Sequence, residues 1–196
     1  MKLSKILGVV AVAALALMAF ASTASATTLY VKGVKQTGAV TIHATLKSGT
    51  SALLEDEAGF FANTCTESTV HGVTSVFTGT VVSGPLTTGS AGLSFGSCKE
   101  NPVEVESSGS LSVEQISGTT NGTVRSIGAA VKTPSPFGTL TCVTGASPGT
   151  DIGTLTGVTS GNATMDINAT LNCGSITARW TATYTVTTPE GLDVES

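Results

Sequence analysis

Over residues 177–187 polar and apolar positions alternate without a break. Thr177, Arg179, Thr181, Thr183, Thr185 and Thr187 fall on one side, and Ala178, Trp180, Ala182, Tyr184 and Val186 on the other. A period of two sends successive side chains to opposite faces of an extended chain, which predicts a strand with one covered and one solvated face. Residues 163–173 repeat the pattern, with Met165, Ile167, Ala169, Leu171 and Cys173 opposed to Thr164, Asp166, Asn168 and Thr170. So do residues 40–46, where Val40, Ile42, Ala44 and Leu46 share a face and His43 lies with Thr41 and Thr45 on the polar one. Shorter strand-like runs at 29–31, 51–54, 73–82, 91–96, 110–116, 123–127, 138–142 and 149–157 are separated by glycine, by Asn121-Gly122 and by a two-proline loop at 133–138. Such punctuation is that of tight turns between antiparallel strands.

The pattern predicts an all-β fold of roughly ten to twelve short antiparallel strands, most simply a β-sandwich, because a strand with one apolar face needs a second sheet to cover it. An open barrel or a short solenoid satisfies the same pattern, since periodicity does not order the strands.

The first 26 residues stand apart. Lys2 and Lys5 precede an unbroken apolar run at 6–20, and Ala24-Ser25-Ala26 is a small-x-small site, so residues 1–26 read as a cleaved signal peptide. The run of 15 residues falls short of the roughly 20 that cross a bilayer. The remaining chain, 27–196, is expected to be an exported single all-β domain without membrane insertion. Its localisation is then secreted, extracellular or in the cell envelope.

Removing the signal leaves seven Lys and Arg against thirteen Asp and Glu, a formal charge of −6. That sign repels phosphate backbones and argues against a nucleic-acid partner. Four cysteines in an exported chain read as two disulfides, for which three connectivities exist. The near-equal separations of 33 and 31 favour Cys65 with Cys98 and Cys142 with Cys173. Similar Thr-Gly and Ser-Gly steps lie between the two cysteines of each pair, which suggests two similar disulfide-pinned halves, 27–106 and 107–196. No CxxC pair is present, and no metal or other cofactor is expected.

Candidate chemistry is sparse. Gly92-Leu-Ser-Phe-Gly96 matches the Gly-x-Ser-x-Gly elbow of hydrolases, but both histidines precede the serine and no helix pattern follows, so it reads as a glycine-bounded strand. His71 reads as a loop histidine. Phe60, Phe61 and Phe137 are candidates for an exposed binding patch. Trp180 is inward by parity and reads as core.

The segments 117–126, 135–142 and 163–173 resemble parts of small exported four-cysteine β proteins of actinobacterial type. That resemblance implies secretion and paired cysteines, and it carries no activity or site residue.

The leading functional expectation is a non-enzymatic binding or structural module, envelope-associated or extracellular, with envelope or extracellular polysaccharide as a candidate partner. One alternative is a small secreted hydrolase that cuts polysaccharide through a carboxylate pair drawn from Glu55, Asp56, Glu57, Asp151 or Asp166. A second is adsorption to ice or another surface through flat threonine-rich strand faces.

Overall fold

The computed structural model describes residues 26–136 and 138–196. The expected signal segment lies outside the described residues except for Ala26, and the first strand begins at Thr27. The described chain forms strands β1 (Thr27–Val31), β2 (Val34–Lys35), β3 (Thr41–Leu46), β4 (Ala52–Asp56), β5 (Ala62–Val73), β6 (Thr78–Gly79), β7 (Val82–Pro85), β8 (Leu93–Cys98) and β9 (Glu104–Ser107). It continues through β10 (Ser110–Gln115), β11 (Gly122–Ile127), β12 (Ala130–Ser135), β13 (Gly138–Val143), β14 (Thr150–Thr156), β15 (Thr164–Cys173), β16 (Ile176–Thr188) and β17 (Leu192–Glu195), with a single 3-10 turn at Gly89–Ala91. The fold is all-β and antiparallel, as the alternation predicts.

The strand order is a closed ring. β3 pairs with β5, β5 with β8, β7 with β10, β10 with β11 and β11 with β14. β14 then pairs with β15, β15 with β16, and β16 returns to β3. β7 and β8 occupy one strand position: β8 runs along one end of β5, and at the other end Gly72 bridges Leu86 and Val76 bridges Ser83. The result is an up-and-down barrel of eight strand positions, in which neighbours in space are neighbours in sequence. The two layers expected of a sandwich are the facing walls of one curled sheet. Closure covers the apolar faces as a second sheet would, and it also pairs most strand edges.

The strands outnumber the ten to twelve expected because five of the eight positions are broken in the middle. β3 and β4 share one position, as do β7 and β8, β9 and β10, β11 and β12, and β13 and β14; every break contains a glycine. At Gly109 the requirement is sharp. Its φ is +65°, and a Cβ there would stand 2.3 Å from the Ile127 carbonyl oxygen, so only glycine lets the two neighbouring strands bend together.

Inward positions carry the core, including Ala44, Val70, Val124, Ile152, Met165, Leu171 and Val186. Outward positions on β15 and β16 are the threonines, Asp166, Asn168 and Arg179. This polarity is the inverse of an outer-membrane barrel, whose lipid-facing wall is apolar. β1, flanked by β17, β2 and β6, lies over one end, where Leu29, Leu192 and Val194 are buried against the barrel interior. Thr27 ties this cap down, since its Oγ1 donates to the Thr80 carbonyl at 3.1 Å and accepts the Gln115 N–H at 2.9 Å.

Both disulfides form, Cys65 with Cys98 and Cys142 with Cys173. Cys65 and Cys98 are direct partners in the β5–β8 ladder, and Cys142 and Cys173 flank the Val143–Asn172 pair of β13 and β15. In the ring these two strand pairs lie on opposite sides, both toward the end remote from the cap.

Candidate functional site

The barrel interior is not completely filled. A cavity of about 60 Å³ lies in the half remote from the cap, lined by Leu54, Leu93, Phe95, Leu171 and Trp180 and by the disulfide residues Cys65 and Cys142. A second, of about 90 Å³, lies against the cap between Leu29, Ile42, Val82, Val113 and Val194. Val70, Leu86, Leu111 and Met165 line both and form the layer between them. These linings are overwhelmingly apolar, so such space stays dry and suits an apolar guest.

The wall beside the first cavity is split. Leu86 N–H donates to the Gly109 carbonyl at 3.0 Å and Ser108 Oγ to the Gly89 carbonyl at 2.9 Å, which closes the wall at mid-height. Beyond that point β8 pairs with β5 and β9 with β12, and among the described residues no ladder joins β8 to β9. Phe95 on β8 and Val103 just before β9 both line the cavity behind this seam.

Most polar side chains around the cavity are satisfied internally. Asn63 donates to the Asn101 carbonyl at 2.8 Å and to Thr133 at 3.2 Å, and Ser126 bonds Thr144 at 3.2 Å. Trp180 is different. Its ring meets Phe95 edge to face with centroids 6.1 Å apart, and among the described residues its buried Nε1–H has no acceptor. An unsatisfied buried donor costs about 1 to 3 kcal/mol unless something fills it.

The residues singled out in the sequence fall elsewhere. Phe60 is 72 % exposed at the β4–β5 turn, whereas Phe61 is 4 % exposed and belongs to the core, so these two do not form one surface patch. Adjacent residues at the start of an extended segment point to opposite sides. Phe137 lies outside the described residues.

Asp56 is buried and builds the turn, accepting the Phe61 N–H at 2.6 Å. Glu57 is exposed in that turn, and Glu55 lies opposite Arg179 in the β4–β16 ladder. Asp151 accepts the Gly153 N–H at 3.1 Å, and Asp166 accepts the Thr183 hydroxyl at 2.8 Å. Glu55, Asp151 and Asp166 thus lie on the convex outer wall rather than in a shared cleft. Ser94 sits within β8, its hydroxyl bonded to Thr69 at 2.7 Å.

Threonines do align. Thr156, Thr164, Thr185, Thr45, Thr69 and Ser94 are consecutive cross-strand partners over six strand positions. The row follows the girth of the barrel, so it is curved where adsorption to a crystal plane needs it flat.

His71 lies in β5, not in a loop, and is the direct ladder partner of His43. Among the described residues no three His, Cys, Asp or Glu side chains converge as a metal site, and no helix is long and apolar enough to cross a membrane. What reading the residues missed is the seam and the orphan indole N–H. Parity turns Trp180 inward, but only strand order reveals what stands opposite it. Comparison with known proteins gives no match to a family model, to a curated protein or to a solved structure.

Proposed function

We propose that this chain is a non-enzymatic exported binding protein that takes a small apolar ligand, bearing one hydrogen-bond acceptor, into the barrel beneath the β8–β9 seam. The observation that carries this reading is an apolar cavity whose lining includes Trp180, the Nε1–H of which is buried and has no acceptor among the described residues. Ligand sites combine an apolar lining with a few polar groups that orient the guest, which is the composition found here. The cavity of about 60 Å³ admits a narrow part of a molecule, such as an alkyl end or small ring. Movement of Met165, an adaptable side chain in the shared layer, would join it to the second cavity. Export places apolar molecules of the envelope or surroundings within reach.

Native mass spectrometry of oxidised residues 27–196 with medium-chain alcohols and ketones of graded length tests this. Saturable one-to-one binding is expected. Ala52→Leu, which fills the cavity, should abolish it, and Trp180→Phe should weaken it about 3- to 10-fold, the worth of one hydrogen bond. Absence of saturable binding across the series, or equal binding by Ala52→Leu, would overturn the reading.

A further inference from the structure

His43 and His71 stand directly opposite one another on β3 and β5, with ring centroids 5.8 Å apart. Each is anchored on its far side. His43 Nδ1 is 2.9 Å from Thr187 Oγ1 on β16, and His71 Nδ1 is 3.1 Å from Thr87 Oγ1, which follows β7. Thr187, His43, His71 and Thr87 therefore form one row across four adjacent strand positions on the outer wall.

The anchoring sets the chemistry of the free edges. The Thr187 hydroxyl donates to the His43 carbonyl at 3.2 Å, so its oxygen accepts from Nδ1–H of the neutral ring, and the His43 lone pair resides on Nε2. In an imidazole ring whose Nδ1 is turned away from a neighbour, Nε2 lies at the tip on the neighbour's side. Both rings are turned this way, with their planes at 67° to one another, which leaves each Nε2 on the side of the β3–β5 ladder. Neither has a hydrogen-bond partner within the described residues, and neither is a buried unsatisfied atom.

We infer that His43 and His71 form a two-imidazole site for a divalent transition-metal ion of the zinc, nickel or copper type, with water completing its coordination. Ligation at about 2.0 to 2.1 Å per nitrogen places the two ring centres roughly 5 to 6 Å apart, which the observed separation matches. Imidazole suits these ions rather than magnesium or calcium, and a ligating histidine held by a hydrogen bond at its other nitrogen is the usual arrangement. Thr187 and Thr87 are positioning residues here. The ion would clip β3 to β5 on the outside of the barrel, on the opposite face of the wall from the interior cavities that Ile42, Ala44, Val70 and Gly72 line.

The test is isothermal titration of oxidised residues 27–196, freed of metal, with zinc, nickel and copper ions separately, alongside thermal unfolding with and without each ion. One equivalent should bind, with a rise in Tm and with affinity falling on acidification, because the ligating imidazoles must be deprotonated. His43→Gln and His71→Gln should each weaken binding at least tenfold and remove the Tm rise. Thr187→Val should weaken it about tenfold while leaving both ligands present. Far-UV circular dichroism of each metal-free variant checks that the barrel is intact. No saturable binding of any of the three ions would overturn the site. Binding that is unchanged in both histidine variants would do the same, by placing the ion elsewhere.

Discussion

Tyr184 lies wholly inside the barrel, where an unpaired hydroxyl would be costly. Ser68 Oγ donates to the Ser94 carbonyl at 2.7 Å, so the Tyr184 hydroxyl, also 2.7 Å from Ser68, is the donor in that pair. Burial pushes the phenol well above its usual range. Tyr184→Phe should lower stability by about 1 to 2 kcal/mol in urea unfolding, the loss expected for a buried hydrogen bond whose acceptor is left bare. Asp193 is the opposite case. It is fully buried in β17, and among the described residues neither carboxylate oxygen has a partner. Burial, helped by the charge of Glu195, raises its pKa. The folded state then holds a proton that the unfolded chain releases near pH 4. Asp193 therefore supports the fold below that pH and loses this contribution as pH rises toward its folded value. Asp193→Asn should raise Tm at pH 7 and flatten the dependence of Tm on pH in the acid range. An unchanged profile would place the carboxylate in solvent.

At the scale of elements, each disulfide staples two adjacent strands that run to the end of the barrel away from the cap. Their closed loops span 33 and 31 residues, for which chain entropy gives about 3 to 4 kcal/mol apiece. The double variant Cys65→Ser, Cys98→Ser should lose about that much in urea unfolding. Because Cys65 lines the cavity behind the seam, the same variant should also weaken ligand binding. The sharpest backbone requirement lies at Gly109, where Gly109→Ala should prevent the β10–β11 bend and sharply reduce the yield of folded protein. The long strands β15 and β16 were legible from residues alone, since the alternation around Trp180 and Met165 reports which side is wet; β5 was not, because its inward row includes the polar residues Asn63 and Ser68. The breaks were not. Gly109 and Gly128 look like turn residues between separate strands, yet each bends one strand position without reversing the chain.

For the whole molecule, the all-β class followed from the alternation, whereas ring closure rests on contacts that periodicity does not encode. The Gly72–Leu86 and Val76–Ser83 bridges close the circle, and nothing about those residue types marks them as partners. The same limit hid the His43–His71 pair, because parity places His43 outward but cannot name the strand beside it. Closure decides what the molecule can do. It turns the apolar strand faces into an enclosed interior and presents threonines and carboxylates on a convex exterior, which favours a guest held inside over chemistry on the wall. Trp180 is the sole tryptophan of the chain and lines the cavity, so it reports directly on occupancy. The decisive measurement is therefore titration of its fluorescence in oxidised residues 27–196 with a medium-chain ketone, repeated on Ala52→Leu. A saturable change in intensity and emission maximum is expected, and it should be absent from the filled variant. A response that never saturates, or is the same in Ala52→Leu, would contradict an interior binding site.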